Sequence, residues 1–155
     1  MNMKYFMREE LKNDEVVEVP GLETFKDENG EVVPFKIKVL GIEEVNKIRK
    51  NYTSRRIAVD DKGRRILDKA KNPIFTEDVD SEAATRRIVV EALEYPNLKD
   101  PDLMKFFGVN DVMEMPFKLF RKSSDYAYVS STVVEVLGLG EQEMSDDELI
   151  DEAKN

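Results

Sequence analysis

The chain has 155 residues, 41% of them hydrophobic and 37% charged, a formal net charge of −9, and neither Cys nor His. That length suits one domain able to bury a core without disulfides or metal, and the charge predicts a heavily solvated surface. The missing Cys and His exclude thiolate nucleophiles, imidazole bases, Ser-His-Asp triads and Cys/His zinc sites.

Residues 1–14 carry Met3, Phe6, Met7 and Leu11 at rough helical spacing, which predicts a short helix or a flexible, partner-dependent N-terminal arm. They contain no apolar stretch of signal-peptide length, and no apolar run in the chain approaches the ~20 residues of a membrane span. Val17 and Val19 alternate with Glu18, the pattern of a short strand ended by Pro20-Gly21. Leu22 to Lys26 and Val32 to Leu40 flank Asn29-Gly30, a strong hairpin signal because both residues tolerate positive φ. Phe35, Ile37 and Val39 alternate with Lys36 and Lys38, a half-buried strand; Pro34 predicts an unpaired edge there. Ile42, Val45, Ile48 and Tyr52 then follow helical spacing.

A second hairpin is expected from Arg56–Val59 and Arg64–Leu67, turning at Gly63. Residues 68–79 read as a loop, with Ile74 and Phe75 tucked onto the core. The most legible stretch is Asp80 to Gly108. Asp80 or Ser81 caps a helix whose apolar face is Ala84, Ile88, Val89, Ala92 and Leu93, stopped by Pro96. Asp100-Pro101 starts the next helix, with Leu103, Phe106 and Phe107 as its buried face and Gly108 as its C-terminal cap. Asn110 is placed to cap a Met/Phe-rich segment that Pro116 should kink or divide. Ser123-Ser124-Asp125 offers a cap for the last long helix, which ends at Gly138 with Leu139 folding back. The expected architecture is α+β: N-terminal β-hairpins followed by a bundle of four to five short α-helices, forming a single domain over 15–140. Residues 141–155 read as an acidic C-terminal tail. Within it Ser145 and Glu148 form a capping box, and Leu149 and Ile150 supply an apolar stripe for a short helix ordered by a partner.

Four constellations bear on function. The basic region 47–71, with Arg55, Arg56, Arg64 and Arg65 at its centre, reads as a nucleic-acid face, as a solvated hairpin face balanced by the acidic remainder, or as a docking surface for an acidic protein, another copy of this chain's tail included. Net negative charge weighs against nucleic acid. Met113, Met115 and Phe117 belong to a Met/Phe cluster that is chiefly core; any exposed remainder would adapt to a helical client. Asp60-Asp61, Asp78-Asp80 and Asp146-Asp147 lack the spacing of a calcium loop and read as turn and cap residues. Lys122-Ser123 sits in a helix–helix corner where caps belong. No catalytic, metal or cofactor residue is assigned.

Taken in order, Tyr95-Pro96-Asn97-Leu98, Asp102-Leu103, Phe107-Gly108-Val109 and the rhythm from Tyr126 to Gly138 resemble the XkdN-like tail assembly chaperones of phages and phage-tail-like particles, over about residues 33 to 140. This sequence has Ser124-Asp125-Tyr126 where the family has Gly-Glu-Tyr. The resemblance implies a non-enzymatic, oligomeric protein of the bacterial host cytoplasm. It would bind the tape measure protein, help recruit tail tube subunits and be absent from the finished particle. The opposing expectation, drawn from the basic region 47–71, is a small nucleic-acid-binding regulator.

Overall fold

Phe35-Lys36-Ile37-Lys38 alternates apolar and charged residues, so one face of a strand must be buried and the other wetted. In the computed structural model, which describes residues 1–139, this segment is the central strand β2 (Phe35–Lys38) of a three-stranded sheet. Antiparallel neighbours flank it: β1 (Val16–Val19) on one side and a short strand, Leu93–Tyr95, on the other. The register sets Val19 opposite Phe35, and both Val17 and Leu93 opposite Ile37, so the apolar residues share one face. Pro34 therefore precedes a strand paired on both sides, not an unpaired edge. The Asn29-Gly30 turn forms as expected, with Gly30 at φ +77°. Its ladder is the single bridge Lys26–Val32, and β2 takes its main partners from further away.

The helix α1 (Ile42–Asn51) follows β2 and sends Val45 into the core. A second antiparallel pair, β3 (Thr53–Ile57) with β4 (Phe75–Val79), comes next. Then comes α2 (Ser81–Ala92), capped by the Asp80 carboxylate, which accepts from the Ala83 N–H. Ala83, Ala84, Ile88, Val89, Val90 and Ala92 of this helix are all buried, because α1, α5, α4 and the sheet surround it. Leu93–Tyr95 is thus β5, an edge strand, where periodicity had suggested the helix end; a cis Tyr95-Pro96 peptide follows it.

Asp100 caps α3 (Pro101–Phe106) through the Leu103 N–H, as its sequence predicts. The Met/Phe segment splits into a 3₁₀ turn, Val112–Glu114, capped by Asp111 rather than Asn110, and α4 (Met115–Leu119) with Pro116 at its start. Pro116 divides the segment there because a first-turn Pro has no N–H bond to lose. The last helix, α5 (Ser123–Val136), is closed by Gly138 at φ +71°, and the Leu139 N–H donates to the Val134 carbonyl as a Schellman closure requires. The cap offered by Ser123-Ser124-Asp125 is not used: the N-cap is Lys122, with no side-chain bond, and Asp125 accepts from the Thr24 hydroxyl at 2.8 Å.

Phe25, Phe35 and Phe120 form a ring triad at the centre, with centroids 6.0 to 6.3 Å apart. Met115, Leu98, Val129 and Val133 close the same core.

Candidate interaction surfaces

Among the described residues large apolar side chains are exposed in several places, Met3, Phe6, Met7 and Ile42 included, and two such surfaces are candidates for contact. The first is an arm formed by β3, β4 and the chain between them. Its base is closed by the Asp80 N–H donating to the Tyr52 carbonyl. Beyond Ile57 three extended pieces meet in a ring of bonds: Ala58 N–H to Ile74 O, Ile74 N–H to Ile66 O, and Ile66 N–H to Ala58 O. Two tight loops project from this junction, built to one plan. Asp60 and Asp68 each accept from the backbone N–H groups two and four residues on. The fourth loop residue, Gly63 or Lys71, takes positive φ (+77° and +63°). The Asp27 loop of the main domain repeats this arrangement with Gly30. The expected hairpin 56–67 is therefore present as the Val59–Arg65 bridge at the arm's tip. Residues 75–79, however, are a strand, not loop.

No residue between 53 and 79 is buried, and none joins the core cluster. Ile74 and Phe75 are exposed rather than tucked onto the core, and Val59 and Leu67 are about half exposed (54% and 49%). The register places Ile57 directly opposite Phe75, Arg55 opposite Glu77 and Thr53 opposite Val79, so Ile57, Phe75 and Val79 share one uncovered face of the arm with Thr53 and the Arg55–Glu77 pair.

The sequence-assigned arginines all lie on this arm. Arg55 stacks over the Phe75 ring at 4.0 Å, Arg56 pairs with Asp78, and Arg64 pairs with Asp60 at 3.0 Å. Arg65 stands exposed opposite Val59. Backbone and side-chain bonds from Arg64, together with the Lys62 N–H, hold the Asp60 carboxyl below its ordinary range.

The second surface is a groove of about 620 Å³ between the sheet edge and α3. Phe25, Phe35 and Leu119 form its floor, with Tyr95, Leu103 and Phe106 along its wall and Asp100 and Asp102 on its rim. Phe106 was expected on the buried face of α3. It is 81% exposed, and its neighbour Phe107 packs inward instead, the two rings meeting edge to face at 5.0 Å. No sequence signal separated these adjacent phenylalanines, since a six-residue helix is too short for its period to decide.

The Met/Phe residues part company. Met115 is fully buried, and its unbranched thioether fills the core beneath α2. Met113 is half-buried, its sulfur accepting from the Tyr52 hydroxyl at 3.6 Å. Phe117 is partly exposed, sandwiched between the Arg86 guanidinium at 4.8 Å and the Tyr126 ring at 5.0 Å. Burial, with Glu82 nearby, pushes the Tyr126 phenol above its ordinary 10.0. Leu149 and Ile150 lie outside the described residues.

Among the described residues no group of three or more acidic side chains could hold a metal ion, and no helix is long and apolar enough to cross a membrane. The chain belongs to the phage XkdN-like tail assembly chaperone proteins, whose family model matches residues 3–154. Among its relatives is the phage-like element PBSX protein XkdN of Bacillus subtilis strain 168, 27% identical over 154 residues, spanning 99% of this chain and 94% of that protein. YqbN of the same organism is 28% identical over 137 residues, or 88% and 84% of the two chains. The crystal structure of YqbN shares the fold, with a TM-score of 0.67 at 23% identity over 89% of this chain and 97% of the other.

Proposed function

We propose that this tail assembly chaperone binds the tape measure protein and brings tail tube subunits to it, working as a non-enzymatic oligomer in the bacterial cytoplasm and leaving before the particle is complete. The observation that carries this reading is the Phe106 groove. It is apolar, open to solvent and of a size that holds the anchor side chains of an amphipathic helix. A long helical client presents such anchors repeatedly, and an exterior with excess negative charge keeps the loaded complexes apart. The nucleic-acid reading loses ground on the arm itself, where Arg56 and Arg64 are already paired with carboxylates and Arg55 lies on Phe75.

The test is co-expression with a tape measure segment. Wild-type protein should keep the segment soluble and co-purify with it. Phe106→Glu, a change at an exposed side chain that leaves the core intact, should lower the soluble client at least tenfold. A segment equally aggregated with and without the wild-type chaperone would refute the reading.

A further inference from the structure

The arm leaves Ile57, Val59, Leu67, Phe75 and Val79 exposed among charged residues, with nothing in the described chain covering them, and exposed apolar groups gathered in this way mark contact sites. It is also the one strongly cationic stretch of an anionic protein. Residues 55–75 hold seven Arg and Lys against three Asp, a balance of +4 that leaves −13 for the rest of the chain. Residues 141–155 hold seven Asp and Glu against one Lys, a balance of −6, and they intersperse Met144, Leu149 and Ile150 among those charges. The two stretches are complementary in both respects: cations beside Ile57, Val59 and Phe75 on one, and anions beside aliphatic residues on the other.

Reach allows the contact within one molecule. Tyr126, near the start of α5, is linked through Phe117 to Arg86 by ring distances of 5.0 and 4.8 Å. Arg86 lies in the first half of α2, which begins where the arm ends. From Tyr126 to Leu139 a helix covers only about 20 Å, whereas the sixteen residues beyond Leu139 span up to about 50 Å when extended.

We infer that residues 141–155 of the same chain lie along the uncovered face of its own arm, and that this contact covers the arm's aliphatic residues when no other protein does. The tether favours the chain's own segment over that of a second copy, because it sets an effective concentration in the millimolar range. The inference concerns the arm and is independent of what occupies the Phe106 groove.

The absence of cysteine makes a direct test simple. Ala153→Cys introduces a single attachment point for a nitroxide label in the full-length protein. Backbone amide signals between Ile57 and Phe75 should lose more than half their intensity, while those of the buried α2 residues stay unchanged. The loss should persist on tenfold dilution. It should fall at high salt, which screens exposed charges, and disappear with Arg64→Glu and Arg65→Glu combined. Restoring it by adding Asp146→Lys and Asp147→Lys to that double variant would establish the charge pairing. Unbroadened arm signals in the labelled protein would overturn the inference. So would broadening found only when label and observed amides are on separate molecules, which would assign the contact to a second copy. Neither result depends on tape measure binding, so this idea and the chaperone reading can fail separately.

Discussion

Gly21 shows how one missing side chain shapes the fold. A β-carbon there would sit 1.8 Å from the Val33 carbonyl oxygen, in the interior of a backbone-to-backbone approach that no rotamer change can relieve. The same approach brings Pro20 to where the Tyr128 hydroxyl donates to its carbonyl at 2.6 Å. Gly21→Ala should therefore destabilise the protein by about 1–3 kcal/mol, the range for overpacking a tight site. Gly41→Ala is the control, since a β-carbon there meets nothing within 4 Å. Urea unfolding midpoints should separate the two variants clearly; equal midpoints would mean the Val33 segment shifts freely. Residue-level signals of this kind were partly legible in the sequence. Asp100-Pro101 and Asn29-Gly30 announce a helix start and a turn through their own backbone chemistry. Gly21 reads only as the end of a strand, because its constraint comes from a segment twelve residues away.

At the scale of the element, the arm is the instructive case. Its first loop carries Gly63 at the positive-φ position and is recognisable in advance. Its second carries Lys71 at φ +63°, so the sequence gives no turn signal and residues 68–79 look structureless. The strand that follows, Phe75–Val79, is defined by pairing with Thr53–Ile57 across more than fifteen intervening residues, and its local composition does not reveal that pairing. A non-glycine residue in the left-handed region costs about 1–2 kcal/mol. Lys71→Gly, which copies the Gly63 and Gly30 loops, should raise the arm's local stability by about 0.5–1 kcal/mol after the added chain entropy of glycine is counted. Slower amide exchange at Ile66 and Ile74, whose N–H groups form the junction, would be the readout. Faster exchange would show that the Lys71 side chain contributes more than its backbone strain removes.

At the scale of the whole molecule, stability against acid should carry the mark of Glu91. Burial acts to raise its pKa, but the Lys99 ammonium, at 2.7 Å, and the Arg87 guanidinium, at 2.8 Å, outweigh that effect and hold it below its ordinary 4.5. A carboxylate with a lowered folded-state pKa stabilises fully above its unfolded value, and that contribution is lost as pH falls through the folded one. Glu91→Gln should therefore be less stable than the wild type at neutral pH, with the difference closing below pH 4.5. A gap that persists unchanged at about pH 3 would contradict this linkage. The α+β architecture and most helix positions were legible because caps and apolar periods are local. The groove was not, because it depends on which of two adjacent phenylalanines turns inward and on a strand edge assembled from distant segments.

The hydrogen bonds from Thr24 to Asp125 and from Tyr128 to Pro20 tie the beginning of the domain to its last helix. During synthesis the sheet has all its strands once Tyr95 has emerged, yet these clasps wait for residues 125 and 128. At bacterial-range elongation speeds of roughly 5–20 residues per second, the nascent chain spends on the order of 2–7 s with that side of the sheet open. A ribosome still has to finish α5 before the newborn protein can close its own flank, so for those seconds the domain is exposed on the side its last helix will seal.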